Sequence, residues 1–142
     1  MNDSYAQENG HPPVARRVVC VDFDGVVQPW GPLDGSRPPF NGVREALHTL
    51  RKEGFRIVIL TSRLSPTWWE DEVTRNGEDP VVFGAKQALV VANYMRENDL
   101  PYDRITSEKI PAEAYFDDRA VRVNPNDWWL LDAVRDFLWR GR

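Results

Sequence analysis

From Val18 to Gln28 the chain reads Val-Val-Cys-Val-Asp-Phe-Asp-Gly-Val-Val-Gln, so Asp22 and Asp24 stand two positions apart where an apolar run ends. In near-extended backbone that spacing directs both carboxylates to one side, and Gly25 lets the chain turn away. Two like charges held that close call for a cation. An Asp-x-Asp-Gly element can also simply finish a strand and cap a turn. A calcium loop needs oxygen ligands at alternate positions and a distal Glu, which Val26, Gln28 and Trp30 do not supply.

Two further polar clusters follow apolar runs. Thr61-Ser62-Arg63 succeed Phe55 to Leu60, and Asp117-Asp118-Arg119 succeed Ala114-Tyr115-Phe116, with Lys109 in the loop before the latter. Carboxylates in this number suit one Mg²⁺, a hard ion that prefers oxygen ligands and keeps positions for water and a substrate phosphate. A hydroxyl and a lysine can hold phosphate oxygens while charge shifts during transfer. The chemistry these residues could perform together is phosphoryl transfer.

Such a set must be gathered by the fold. Val18 to Val21 has the continuous β-branched pattern of a strand buried on both faces. Pro29 to Pro39, rich in Pro and Gly, reads as a loop over the sheet end, either a shield or a plain connector. Asn41 is placed to cap a helix running to Glu53, with Val43, Ala46, Leu47 and Leu50 on one face and Gly54 as its stop. Phe55 to Leu60 is a second buried strand. A strand, a helix and a strand form a βαβ unit whose right-handed crossover sets both polar strand ends on one rim.

Further on, Leu64 to Asp79 is irregular or briefly helical, with Trp68 and Trp69 expected to pack as core or lid rather than as a base-stacking platform. Asp79-Pro80 predicts a capped helix to about Asn98, with Ala88, Val91, Ala92 and Met95 inward. Tyr102 to Thr106 and Ala114 to Phe116 are strands, and Val121 to Val123 a short last one. Asn126 or Asp127 caps a closing helix whose Leu131, Val134, Phe137 and Leu138 form an apolar stripe. The expected fold is α/β: a three-layer, doubly wound, Rossmann-like and mostly parallel sheet, whose strand carboxyl ends lie together.

Bulk properties agree with one such domain. The chain has 142 residues, 42% hydrophobic and 28% charged, and a formal net charge of -4, which argues against a broad basic surface for duplex nucleic acid. Cys20 is the single cysteine, so no internal disulfide forms and a reducing, cytoplasmic location is expected. No apolar run is long enough for a membrane span, and the start lacks a secretion signal. Residues 1 to 16 read as a disordered leader, leaving 17 to 142 as the folded domain.

The clusters resemble the four motifs of the haloacid dehalogenase superfamily of phosphatases. Asp22-Phe23-Asp24-Gly25-Val26 is similar to its first motif, Ile57 to Thr61 to its second, Lys109 to its third and Asp117-Asp118 to its fourth. The likeness runs from Val18 to about Val123. It implies that Asp22 is a nucleophile forming an aspartyl-phosphate and that Asp24 protonates the leaving oxygen and then activates water. It implies further that Thr61 and Lys109 hold the phosphate. Mg²⁺ would be held by Asp22, the Asp24 backbone carbonyl and Asp117, with Asp118 in support. An acid at Asp24 marks members that transfer phosphate rather than dehalogenate. Where the motif usually has Thr after its Gly, this chain has Val26, which offers no hydroxyl.

The family's cap insertions would fall at Gln28 to Phe40 and Leu64 to Asp79, both too short for a folded cap domain. An open site suits a macromolecular or terminal phosphate, or closure by a partner subunit, and the expected substrate is a phosphorylated small molecule, such as a nucleotide, or a nucleic-acid end. Thr61-Ser62-Arg63 with Asp117-Asp118-Arg119 resembles the phosphatase half of polynucleotide kinase-phosphatases, which implies that Ser62 and Arg63 contact substrate. No Gly-x-x-x-x-Gly-Lys-Ser/Thr kinase loop is present. A response-regulator receiver uses similar residues, but its acceptor Asp ends a middle strand, and here the second strand ends without one. The remaining rival is a module that binds metal, phosphate or protein without turnover.

Overall fold

The structure, a computed structural model, describes residues 17–32, 34–67, 70–123 and 130–140, without the side chains of residues 71, 72, 130 and 131. The expected leader, Trp68 and Trp69, and the Asn126 or Asp127 cap with Trp128 and Trp129 lie outside the described residues. Four strands, β1 (Val18–Asp22), β2 (Arg56–Leu60), β3 (Arg104–Thr106) and β4 (Ala114–Phe116), pair in the order β3-β2-β1-β4. Every pairing is parallel: Cys20 lies opposite Val58 and Tyr115, and Ile59 opposite Ile105. With helices flanking the sheet, this is an α/β, Rossmann-like three-layer fold. All four carboxyl ends therefore meet on one rim.

Alternation along the strands divides the core in two. Val19, Val21, Ile57 and Ile59 turn to one face, where they pack with Leu47 of α1 (Val43–Lys52) and with Val91, Tyr94 and Met95 of α3 (Pro80–Glu97). Val18, Cys20 and Val58 turn to the other, against Ala112 and Ile110 of the connector between β3 and β4. Because β1 feeds both clusters, its side chains are buried up to Asp22, as its unbroken apolar run implies.

Two connections aim the site. Between β1 and α1, the N–H groups of Val27 and Gln28 donate to the Phe23 carbonyl, so a tight turn begins directly after Asp22. After β2, a 3₁₀ turn at Ser62–Leu64 packs against α3, where a Cβ on Gly84 would stand 2.9 Å from the Leu64 carbonyl oxygen. α3 is capped as expected, since Asp79 Oδ1 accepts from the N–H groups of Val81 and Val82, at 2.8 and 3.1 Å. A short helix, α2 (Glu70–Arg75), lies between.

Several expectations are corrected. α1 starts from Gly42, which adopts φ 87° without a side-chain cap, so Asn41 does not cap it. The buried stripe of α3 is Gly84, Gln87, Val91, Tyr94 and Met95, with Ala88 and Ala92 only half-buried, because the face is turned to serve the 3₁₀ turn. Val121 to Val123 is not a strand. In α4 (Leu130–Trp139) Ala133 is buried, whereas Val134, Phe137 and Leu138 of the expected apolar stripe are exposed. No separate unit is inserted at either cap position among the described residues, and none of their helices is long and apolar enough to cross a membrane.

Candidate active site at the strand carboxyl ends

Asp22 ends β1, and Asp117 and Asp118 follow β4 directly, so parallel pairing of these strands brings three carboxylates together. One oxygen from each lies within 4.8 Å of the others. Burial pushes the Asp22 carboxyl up to about 7, the Phe23 N–H at 2.8 Å opposes that shift, and the charges of Asp117, Asp118 and Asp24 add to it. A cluster with that much uncompensated negative charge suits a cation, and an all-oxygen donor set suits Mg²⁺. Asp117 is oriented by the Arg119 N–H, which donates to its Oδ1 at 2.7 Å.

Asp24, though buried, lines the same cleft as Asp22, with its carboxylate held in the cleft wall. There Arg63 Nε donates to Oδ2 at 2.7 Å and Nη2 to Oδ1 at 2.7 Å, while Gln28 Nε2 donates to Oδ1 at 3.0 Å. Its side chain is thus outside the three-carboxylate cluster. Arg63, expected to meet substrate, is only 1% exposed and sits 5.0 Å over the Phe23 ring, with Nη1 3.4 Å from Gln87 Oε1. Its guanidinium positions Asp24.

Thr61 is buried as well. Its N–H donates to the Thr106 carbonyl, which extends the β2–β3 pairing by one residue, and its Oγ1 accepts from the Arg63 N–H at 3.2 Å. Ser62, by contrast, lines an open cleft of about 490 Å³ together with Asp22, Asp24, Lys109 and Asp117. Lys109 is exposed there, its Nζ 5.0 Å above the Tyr115 ring. Of the residues singled out from sequence, the cleft thus gathers Asp22, Asp24, Ser62, Lys109 and Asp117, with Asp118 beside it and Thr61 and Arg63 beneath.

Trp30 and Arg119 complete the wall, and neither stood out from sequence as a site residue. Trp30 Nε1 donates to Asp118 Oδ2 at 3.2 Å, and the Arg119 guanidinium lies 4.4 Å over the indole. Gly25, at φ +87°, makes room for that bond: a Cβ there would lie 2.4 Å from Asp118 Oδ2 and 2.6 Å from Trp30 Nε1. Gln28 and Gln87 were missed too. A polar residue on the apolar face of α3 was the available signal for Gln87, and its place inside the opening motif was the signal for Gln28.

No protein-family model matches the chain, and no curated protein matches it. Among solved structures, it is similar to the crystal structure of a protein target from Vibrio cholerae, at 24% identity over 86% of this chain and 97% of that one, with a TM-score of 0.47.

Proposed function

We propose that this chain is a Mg²⁺-dependent phosphomonoesterase that works through an aspartyl-phosphate on Asp22. The observation that carries the reading is the convergence of Asp22, Asp117 and Asp118 in a cleft that Lys109 and Ser62 share. The motif resemblance to the haloacid dehalogenase superfamily supports it. Asp22, Asp117 and Asp118 would hold the metal, which when bound neutralises charge on the phosphate and on the cluster.

In this mechanism an Asp22 carboxylate oxygen attacks phosphorus as the bond to the leaving oxygen breaks, and water later cleaves the acyl phosphate. Lys109 binds phosphate oxygens from the open side of the cleft, with the Ser62 hydroxyl beside it. Asp24 exchanges the proton of the leaving oxygen and then of the water. Its Oδ1 already accepts two hydrogen bonds, whereas Oδ2 accepts one from Arg63, so Oδ2 is the atom with acceptor capacity left for that exchange. Arg63 fixes the direction of that oxygen.

A second reading, a metal- and phosphate-binding module without turnover, is favoured by one observation. The carboxylate assigned to proton transfer is engaged on both oxygens. Phosphate release from a panel of phosphomonoesters, with Mg²⁺ or EDTA and with Asp22→Asn, separates the two. Release that needs both Mg²⁺ and Asp22 is expected; metal binding without release from any substrate would favour the module.

A further inference from the structure

We propose that Trp30 and Arg119 form a platform that stacks the nucleobase of the substrate, so that the phosphate ester taken by the cleft is a nucleotide. This rests on the phosphatase reading and names its substrate class.

Trp30 is 50% exposed although it is held from two sides, by its hydrogen bond to Asp118 and by the Arg119 guanidinium 4.4 Å over its ring. A large apolar ring kept rigid and left uncovered in a cleft is a surface prepared for a flat partner. Arg119 makes no ion pair with a carboxylate among the described residues, in spite of the acids near it. Indole and guanidinium planes both stack on bases, the latter with a cation–π contribution.

The rest of the cleft suits the same ligand. The strand order places Trp30 and Arg119 at the β1–β4 end, whereas Ser65 and Thr67 follow β2 and Ser107 follows β3. Hydroxyls thus stand across the cleft from the platform, with Ser65 Oγ and Thr67 Oγ1 3.1 Å apart on the exposed surface. They can read the polar edge of a base. At about 490 Å³ the cleft far exceeds the room a phosphate needs and falls within the roughly 300–1,000 Å³ of small-molecule sites. Because Asp118 holds Trp30 and belongs to the acidic cluster, the platform adjoins the phosphate site. A free nucleoside monophosphate and the terminal nucleotide of an oligonucleotide share this chemistry.

The test uses the full chain with Mg²⁺ and compares a nucleoside 5′-monophosphate, a terminally phosphorylated oligonucleotide and ribose 5-phosphate, which is the first without its base. We expect kcat/KM for at least one base-bearing substrate to exceed that for ribose 5-phosphate by about tenfold or more. That ratio should collapse in Trp30→Ala, fall in Arg119→Ala and persist in Trp30→Phe. Which base-bearing substrate leads identifies the source. Equal efficiency with and without the base, or a ratio unmoved by Trp30→Ala, overturns the platform and leaves the phosphatase standing. Should no substrate be turned over, calorimetric binding of the same compounds decides separately. Tighter nucleotide binding that depends on Trp30 keeps the platform and rejects the phosphatase, and equal binding rejects both.

Discussion

Arg63 grips both carboxylate oxygens of Asp24, Nε to Oδ2 and Nη2 to Oδ1, each at 2.7 Å, with the guanidinium 1% exposed. A planar fork meeting a carboxylate in this way fixes its orientation as a lysine could not. Breaking a buried pair by removing one partner strands the other charge, at a cost of about 3–5 kcal/mol. Arg63→Met should therefore lower unfolding stability by that amount in urea titrations. Adding Asp24→Asn should recover part of the loss, because the stranded charge is then gone. A loss in Arg63→Met below about 1 kcal/mol would show that the pair is not formed in solution.

Gly25 carries a second, sharper constraint. At φ +87° any other residue is strained, and a Cβ would collide with Asp118 and with the Trp30 indole nitrogen. Gly25→Ala should cost more than about 1 kcal/mol and separate Trp30 from Asp118. We expect weaker Mg²⁺ binding from the displaced carboxylate, measured by calorimetry, together with a lower Tm. Unchanged affinity would mean that Asp118 is not a ligand.

How far the site was legible in the sequence follows from where each residue sits. Asp22 and Asp117 end apolar runs, and in a parallel sheet such ends must converge, so they could be read directly. The Asp79-Pro80 cap of α3 is likewise a local signal. Asp24's place in the cleft could be anticipated, but not that Gln28 would reach it, because that depends on the turn closed by hydrogen bonds to the Phe23 carbonyl. Arg63 looked like a substrate contact because its partner lies 39 positions away. Trp30 sits in a loop without a period, where its contacts with the distant Asp118 and Arg119 give it a place. The stripe of Val134, Phe137 and Leu138 shows that amphipathic spacing marks a face without saying whether the chain covers it.

Lys109 is a cleft cation whose removal should leave the fold intact, since its side chain is exposed, with Nζ over the Tyr115 ring. Lys109→Met should lower kcat/KM for phosphate release by about 10²–10³-fold, the usual effect of losing one donor aimed at developing charge. Thermal stability should change by less than about 1 kcal/mol. Wild-type activity in this variant would remove Lys109 from the phosphate site.

Asp22 gives the pH dependence its sign. Its carboxyl is held up at about 7 from a usual 3.8, so the folded, metal-free protein binds its proton more tightly than the unfolded chain does. Stability from this group is therefore fully present below about 3.8 and is lost as pH rises through about 7, where the ionised carboxylate stays desolvated beside its acidic neighbours. A metal ligand must be ionised, so Mg²⁺ binding should release protons below about pH 7 and strengthen as pH rises through that value. Calorimetry in buffers of different ionisation enthalpy at pH 6 and pH 8 reads both effects: more proton release and lower affinity at the lower pH. In thermal unfolding without metal, Tm should fall between pH 5 and 8, and Mg²⁺ should restore it at the upper end. Asp22→Asn should flatten both profiles, and a wild-type Mg²⁺ affinity independent of pH across this range would exclude Asp22 from the metal site.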